Sequence, residues 1–229
     1  MKRIVYIRML SADLHIHTAC SKDGESSVNS VLQAAEKIGM DVIAITDHDT
    51  MEGYRIAREI QSDILIIPGI ELSTEEGHLI VLGLTRPPAS GLPVLETIRK
   101  ARDAGGVTIL PHPFHRYRHG AALKCPEAFR EADAIEIYNS RYIFAHANQH
   151  AFRLAQKMGK PAVAGSDAHN ARFVGYGRTL IDAGKDVDSI LMAIREGRTT
   201  PAGRKTPVRI YTKQSLRNSW RKIRGKVRR

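Results

Sequence analysis

DLHIHTACSKDG, residues 13–24, follows directly on SA to end a short apolar run, SADLHI at 11–16, with two histidines one residue apart and two aspartates. Proton- and metal-binding side chains at the end of a strand that reads as buried raise the question of how the other apolar runs end. Similar runs recur at 42–46 (VIAIT), 64–70 (ILIIPGI), 79–84 (LIVLGL), 107–110 (VTIL), 134–138 (AIEIY) and 161–165 (PAVAG). Between them, helical spacing predicts helices at 28–38, 50–60, 93–104, 143–158 and 187–196, and Gly39, Gly105 and Gly159 fall where helices stop. This alternation is the pattern of βα units around a mainly parallel sheet. Only 64–70 and 79–84, around TEEGH, stand close enough for a hairpin or an adjacent strand pair. Such units build either a closed barrel or an open doubly wound sheet, and both place their chemistry at the C-terminal ends of strands.

The metal-binding residue types fall at those ends. His15 and His17 close the first run, Asp47 and His48 the second, Glu71 the third, His112 the run at 107, and Asp167 with His169 the run at 161. His78 opens the run at 79, and Asp23 lies in the loop after the first strand. A single histidine is usually a satisfied core residue; several independent strands ending this way are not explained by packing. Imidazole mixed with carboxylate suits Zn, Mn or Fe, whereas thiolates indicate structural zinc and all-oxygen sets indicate Mg or Ca. With roughly three to five ligands per ion, this donor set corresponds to about two or three ions, an arrangement typical of hydrolytic centres.

The series DLHIH (13–17), SKDG (21–24), TDHD (46–49), PGIE (68–71), GH (77–78), PHP (111–113) and GSDAH (165–169) resembles the PHP (polymerase and histidinol phosphatase) superfamily of metal-dependent phosphoesterases, in order, over about residues 12–200. The resemblance implies an α/β fold, a distorted (β/α)7 TIM-like barrel with a trinuclear metal site at the C-terminal strand ends. It implies that His15, His17, Glu71 and Asp167 surround one ion, that Glu71 bridges to a second held by His78 and His112, and that Asp23, His48 and His169 hold the third. The segment between Gly83 and Val107 leaves no room for an inserted subdomain, so the chain resembles the small, stand-alone type. The expected organisation is an N-terminal extension at 1–10, a PHP barrel domain with a short C-terminal extension at 11–203, and a basic tail at 204–229.

The expected reaction is hydrolysis of a phosphomonoester on a small metabolite or nucleotide by metal-activated hydroxide. Asp47 is expected to orient a ligating imidazole, and Asp49 either to do the same or to cap the following helix. The loop HPFHRYRHG (112–120) offers His115, Arg116 and Arg118 for gripping phosphate, with Arg141 and Arg172 after other strand ends, because guanidinium forks match phosphate oxygens. Two other readings stay open: a 5′–3′ exonuclease or other nuclease aided by the tail, and a non-catalytic, metal-stabilised nucleic-acid-binding module.

Composition bounds the rest. A 42% hydrophobic and 26% charged chain of 229 residues is globular in type and long enough to bury its own core. Two cysteines, Cys20 and Cys125, make no disulfide framework and favour a reducing, cytoplasmic setting. The start, MKRIVYIRML, is interrupted by Arg8 and lacks a small-residue cleavage site, which argues against a signal peptide. No apolar run approaches the ~18 residues of a membrane span. Of 35 Lys and Arg residues, twelve lie between Arg198 and Arg229, where there is no Asp or Glu, so residues 1–197 carry 23 basic against 24 acidic groups. The tail's Leu216, Trp220 and Ile223 fit one stripe of a helix, which leaves nucleic acid, an anionic membrane surface and docking on the barrel as its candidate partners.

Overall fold

The computed structural model describes residues 8–116, 119–142 and 145–207. Strands β1 (Leu10–Ile16), β2 (Val42–Ile45) and β3 (Leu65–Ile67) run parallel, with Ala12 opposite Val42 and Val42 opposite Leu65. Helices α1 (Val28–Lys37) and α2 (Glu52–Arg58) connect them. Helix α1 forms because Ser27 caps it, accepting the Ser30 N–H, and because Val28, Val31, Leu32 and Ala35 make one buried stripe. It stops at Gly39, whose φ of 69° a side chain would strain.

The run expected at 64–70 divides at Pro68 into β3 and β4 (Gly69–Ser73). Proline has no N–H to continue a ladder, and the chain changes sheets there: β3 pairs with β2, while β4 pairs antiparallel with β5 (His78–Leu82). Helix α3 (Val94–Asp103) leads to β6 (Val107–Leu110), antiparallel to β5. Next come α4 (Glu127–Glu131), β7 (Ala134–Asn139), α5 (Ala145–Lys157) and β8 (Ala162–Gly165), with β6, β7 and β8 parallel. The chain then returns to the first sheet through β9 (Gly177–Ile181), antiparallel to β1, and, after α6 (Val187–Arg195), β10 (Thr199–Gly203) on its edge.

Among the described residues the ladders therefore form two five-stranded sheets, β10-β9-β1-β2-β3 and β4-β5-β6-β7-β8, and draw no closed barrel. What joins the sheets bears on function. Isolated bridges link Ile16 to Ala168 and His48 to Glu71, at the strand ends that carry the histidines. Elsewhere, buried side chains make bonds that a ladder would otherwise make. The Thr179 hydroxyl donates to the Ala164 carbonyl and accepts the Ala164 N–H, both at 2.9 Å. Asp13 accepts the N–H groups of Ser166 at 3.0 Å and Gly175 at 2.8 Å. Burial pushes the Asp13 carboxyl up to about 6 against these bonds. Between the sheets, Leu10, Ala12, Leu14, Val42, Ala44, Ile80, Leu82, Val107 and Ile109 pack into one core, closed by Ile190, Leu191 and Ile194 of α6. Leu191 lies against Gly83, just past the C-terminal end of β5; His78 begins that strand, so α6 plugs the end away from the histidines.

Candidate metal centre

Two strand irregularities aim the site. In β1 the pairing with β2 slips between Asp13 and Ile16, so Leu14 stays in the inter-sheet core while Ile16 turns to the layer under α1. His15 and His17 consequently point inward together, a common use of a β-bulge. In β7 the register with β8 slips between Glu136 and Tyr138, which brings Asn139 to the same side as Glu136.

The nine side chains named from the sequence as ligands meet there. Glu71 is the hub: its Oε1 lies 3.0 Å from both His78 Nδ1 and His112 Nε2. Its Oε2 lies 3.1 Å from His17 Nε2 and 3.4 Å from both His15 Nε2 and His48 Nδ1. Asp167 Oδ1 is 3.9, 3.7 and 3.3 Å from His15, His17 and His169. Asp23 Oδ2 is 2.9 Å from His169 Nε2 and 3.4 Å from His48 Nε2. Overlapping sets of three or four donors result: His17, Asp23, His48 and His169; His15, His17 and Asp167; His15, Glu71 and His112; and His48, Glu71 and His78. His112 (φ 32°) and Asp167 (φ 51°) hold left-handed backbone. Such strain costs roughly 1–3 kcal/mol per residue and collects at functional sites.

The donor chemistry fits divalent cations. The Nε2 atoms of His15 and His17 face each other at 3.1 Å. Ligands ~2.1 Å from a shared tetrahedral ion stand about 3.4 Å apart, which is the scale of the separations here. The Nδ1 atoms of His17, His48, His78 and His112 are buried without a hydrogen-bond partner, and those of His48 and His78 face Glu71 out of hydrogen-bond alignment. Buried polar atoms left this way are rare unless something else binds them. The field also favours positive charge. Burial pushes Glu71 up, but His48, His78 and His15 together hold it well below the usual carboxylate range. Burial lowers His48 and His15, yet Glu71 and Asp23 carry His48 up to about 9, and Glu136, Glu71 and Asp167 carry His15 well above its ordinary value. Burial and the neighbouring His169 push His17 down to about 3, and burial lowers His112, which leaves both as neutral imidazoles.

The supporting residues differ from those expected. Asp47 binds no imidazole: its Oδ1 accepts the Thr18 N–H at 2.6 Å and its Oδ2 the Thr18 hydroxyl at 2.7 Å, fixing the loop after β1. Asp49 neither orients a ligand nor caps a helix; it accepts the N–H and hydroxyl of Ser73, both at 2.7 Å. The orienting carboxylate is Glu136, which the sequence reading missed. Its Oε1 pairs with His15 Nδ1 at 2.9 Å, and its Oε2 accepts the His112 N–H at 2.8 Å and the Asn139 amide at 2.9 Å. Asn139 also donates to Asp167 Oδ2 at 3.2 Å. A lone acid between the apolar residues of AIEIY was the available signal.

Of the expected phosphate-gripping residues, Arg116 is exposed and His115 lies beside Tyr142, ring centroids 4.8 Å apart and planes tilted by 31°. Arg118 lies outside the described residues. Arg172 lies over the Phe173 ring. Arg141 reaches the cluster itself, donating to Asp167 Oδ1 at 3.0 Å and touching the His169 ring. His119, which the sequence placed in the same loop, stands beside His78 with centroids 5.1 Å apart.

Comparison with known proteins gives a consistent picture. The PHP domain family profile matches residues 13–88, and the PHP-associated profile matches residues 145–199. An uncharacterized protein of Methanocaldococcus jannaschii is 35% identical over 143 residues, covering 57% of this chain and 82% of that protein. The 5′-3′ exoribonuclease Rnm of Salmonella typhimurium is 28% identical over 162 residues, 56% of this chain and 54% of its own length. A two-domain Bacteroides vulgatus protein containing a predicted PHP-like metal-dependent phosphoesterase superposes with a TM-score of 0.71 at 19% identity, over 86% of this chain and 65% of that one. At that identity the likeness concerns the fold.

Proposed function

The chain belongs to the PHP domain family, and from this we propose that it is a metal-dependent hydrolase that removes a terminal phosphate from a small metabolite or nucleotide. The observation that carries the reading is the meeting of nine imidazole and carboxylate side chains, drawn from both sheets and the loop after β1, in one cluster, six of them buried and Asp23, His48 and His78 partly so. His15, His17, Glu71 and Asp167 would hold one ion, Glu71, His78 and His112 a second, and Asp23, His48 and His169 a third, beneath the mouth of a distorted PHP-type barrel. Divalent ions there, Mn, Zn or Fe by donor type, would supply a water activated near neutral pH and would neutralise phosphate charge.

The chain's own residues do the rest. Glu71 offers one oxygen to each of two donor groups and so fixes their separation. Glu136 holds His15 and His112, Asn139 ties Glu136 to Asp167, and Arg141 adds a fixed positive charge at the Asp167–His169 edge for a non-bridging phosphate oxygen. Access favours an end-on phosphate. His15, His17, Glu71 and Asp167 are at most 2% exposed, and the open edge consists of Asp23 at 24% and His78 at 15%. A phosphate inside a polymer cannot descend to such a floor without splaying its chain, whereas a terminal one can.

A second reading, 5′–3′ exonucleolytic cleavage, draws support from the likeness to the exoribonuclease and from the basic segment after residue 197. Side-by-side assays with Mn, Zn or Fe on p-nitrophenyl phosphate, a nucleoside bisphosphate, bis-p-nitrophenyl phosphate and a 5′-labelled single strand separate the two. The monoesters are expected to exceed the internal diester by at least about tenfold in kcat/KM, roughly 1.4 kcal/mol. Faster stepwise shortening of the strand would favour the exonuclease, and no hydrolysis with any metal would overturn both.

A further inference from the structure

A cavity of about 310 Å³ is lined by Ile38, Val174, Gly175, Arg178, Gly203 and Arg204, none of which belongs to the histidine–carboxylate cluster. Its two arginines sit on the β9–β10 hairpin: Arg178 is exposed on β9 opposite Ala202, and Arg204 follows directly after β10. Arg204 is held in place. Its N–H donates to the Tyr176 carbonyl at 2.7 Å, and its guanidinium lies 4.1 Å over the Tyr176 ring. Two residues on, Thr206 is pinned by its N–H to the Ser140 carbonyl at 2.9 Å. Gly175 puts no side chain into the space beside Ile38; a Cβ there would come within 2.5 Å of Ile38 Cδ1.

Among the described residues neither guanidinium has a carboxylate partner, although Arg8, Arg102, Arg141 and Arg198 each have one. Two unneutralised guanidinium groups at one cavity make an anion site, since their forked donors match phosphate oxygens. The cavity is large enough for a nucleotide-sized group, and Ile38 and Val174 give it an apolar wall suited to a sugar or base. The sequence after Arg204 is rich in cations: Lys205 follows, and residues 208–229 carry nine Lys or Arg and no acid. Two exposed arginines at the edge of one cavity, followed in the sequence by ten further Lys or Arg residues and no acid, fit a string of phosphates better than a single anion.

We propose that the Arg178–Arg204 cavity is a binding site for the phosphodiester backbone of single-stranded nucleic acid, distinct from the metal centre and independent of which ester is hydrolysed there. The test is fluorescence anisotropy of the full chain with a phosphorothioate oligouridylate and an oligodeoxythymidylate across a salt titration, comparing the natural sequence with R178Q/R204Q. The double variant is expected to bind about tenfold more weakly, with the slope of log affinity against log salt reduced by about 1.4, or ~0.7 for each lost phosphate contact. Its hydrolysis of p-nitrophenyl phosphate is expected to be unchanged, which separates loss of this site from a folding defect. Equal affinity and slope in both proteins would overturn the proposal. So would a natural chain that ignores the oligonucleotides but is captured by phosphatidylserine vesicles.

Discussion

Replacing Glu71 with Gln is expected to abolish hydrolysis, with kcat/KM falling on the order of 10³-fold or more, at least about 4 kcal/mol of transition-state stabilisation. Glutamine keeps the shape of the side chain, so the loss isolates charge and donor capacity. Both Glu71 oxygens face imidazole nitrogens at 3.0–3.4 Å, five histidines in all. An amide has one acceptor oxygen, and its NH2 group would be set against at least two of these rings. It also removes the negative charge that faces His48, His78 and His15 from the centre of the cluster. Steady-state kinetics and elemental analysis of the variant check this together: activity should disappear along with bound metal, and excess metal should not restore it. A variant that keeps full metal content and more than about a tenth of the activity would remove Glu71 from the hub position.

Glu136→Ala should behave differently, and the contrast is informative. Glu136 touches no open edge of the cluster; it orients His15, anchors the His112 backbone and holds Asn139. Loss of such a partner typically weakens metal affinity by about 10–100-fold. The expected result is low activity at limiting metal that largely recovers as metal is raised, with metal titrations of the two proteins displaced from one another. If activity stays lost at saturating metal while the circular dichroism is native, Glu136 acts on substrate and is more than a positioning residue.

The ease with which the site could be read from the sequence follows from what fixes each residue. A polar side chain at the end of an apolar run is visible because the run locates the strand and the strand locates its end; His48, Glu71, His112 and Asp167, all members of the cluster, stand out this way. Register is not written so plainly. Nothing in DLHIH reveals that pairing slips between Asp13 and Ile16, although the slip decides which way His15 and His17 point. Glu136 stayed hidden because an acid inside a strand is found by where its carboxylate goes, across the sheets to His15, not by its neighbours in the chain. Asp47 misled for the converse reason. It stands next to His48 of the cluster, and its carboxylate is taken by Thr18, almost thirty residues earlier in the sequence.

The fold shows the same division. Runs of branched residues announced β1, β2 and β6, and helix spacing with terminal glycines announced α1, α3 and α5. TTPAG, which forms β10, has neither an apolar run nor alternation, and its strand exists because β9 offers it an edge. At Pro68 the chain moves from one sheet to the other, so a single hydrophobic run serves two sheets. The seams between those sheets depend on Asp13, Thr179 and the bridges at Ile16 and His48, contacts between residues far apart in sequence.

That the cluster exists to hold cations is tested most directly by elemental analysis of the purified full chain after equilibration with Mn or Zn and removal of loose metal. Between about two and three equivalents per chain are expected, from nine donors shared among overlapping sets. Less than about half an equivalent at saturating metal would contradict it, because the buried imidazoles and carboxylates would then be a structural network with no ion to activate water.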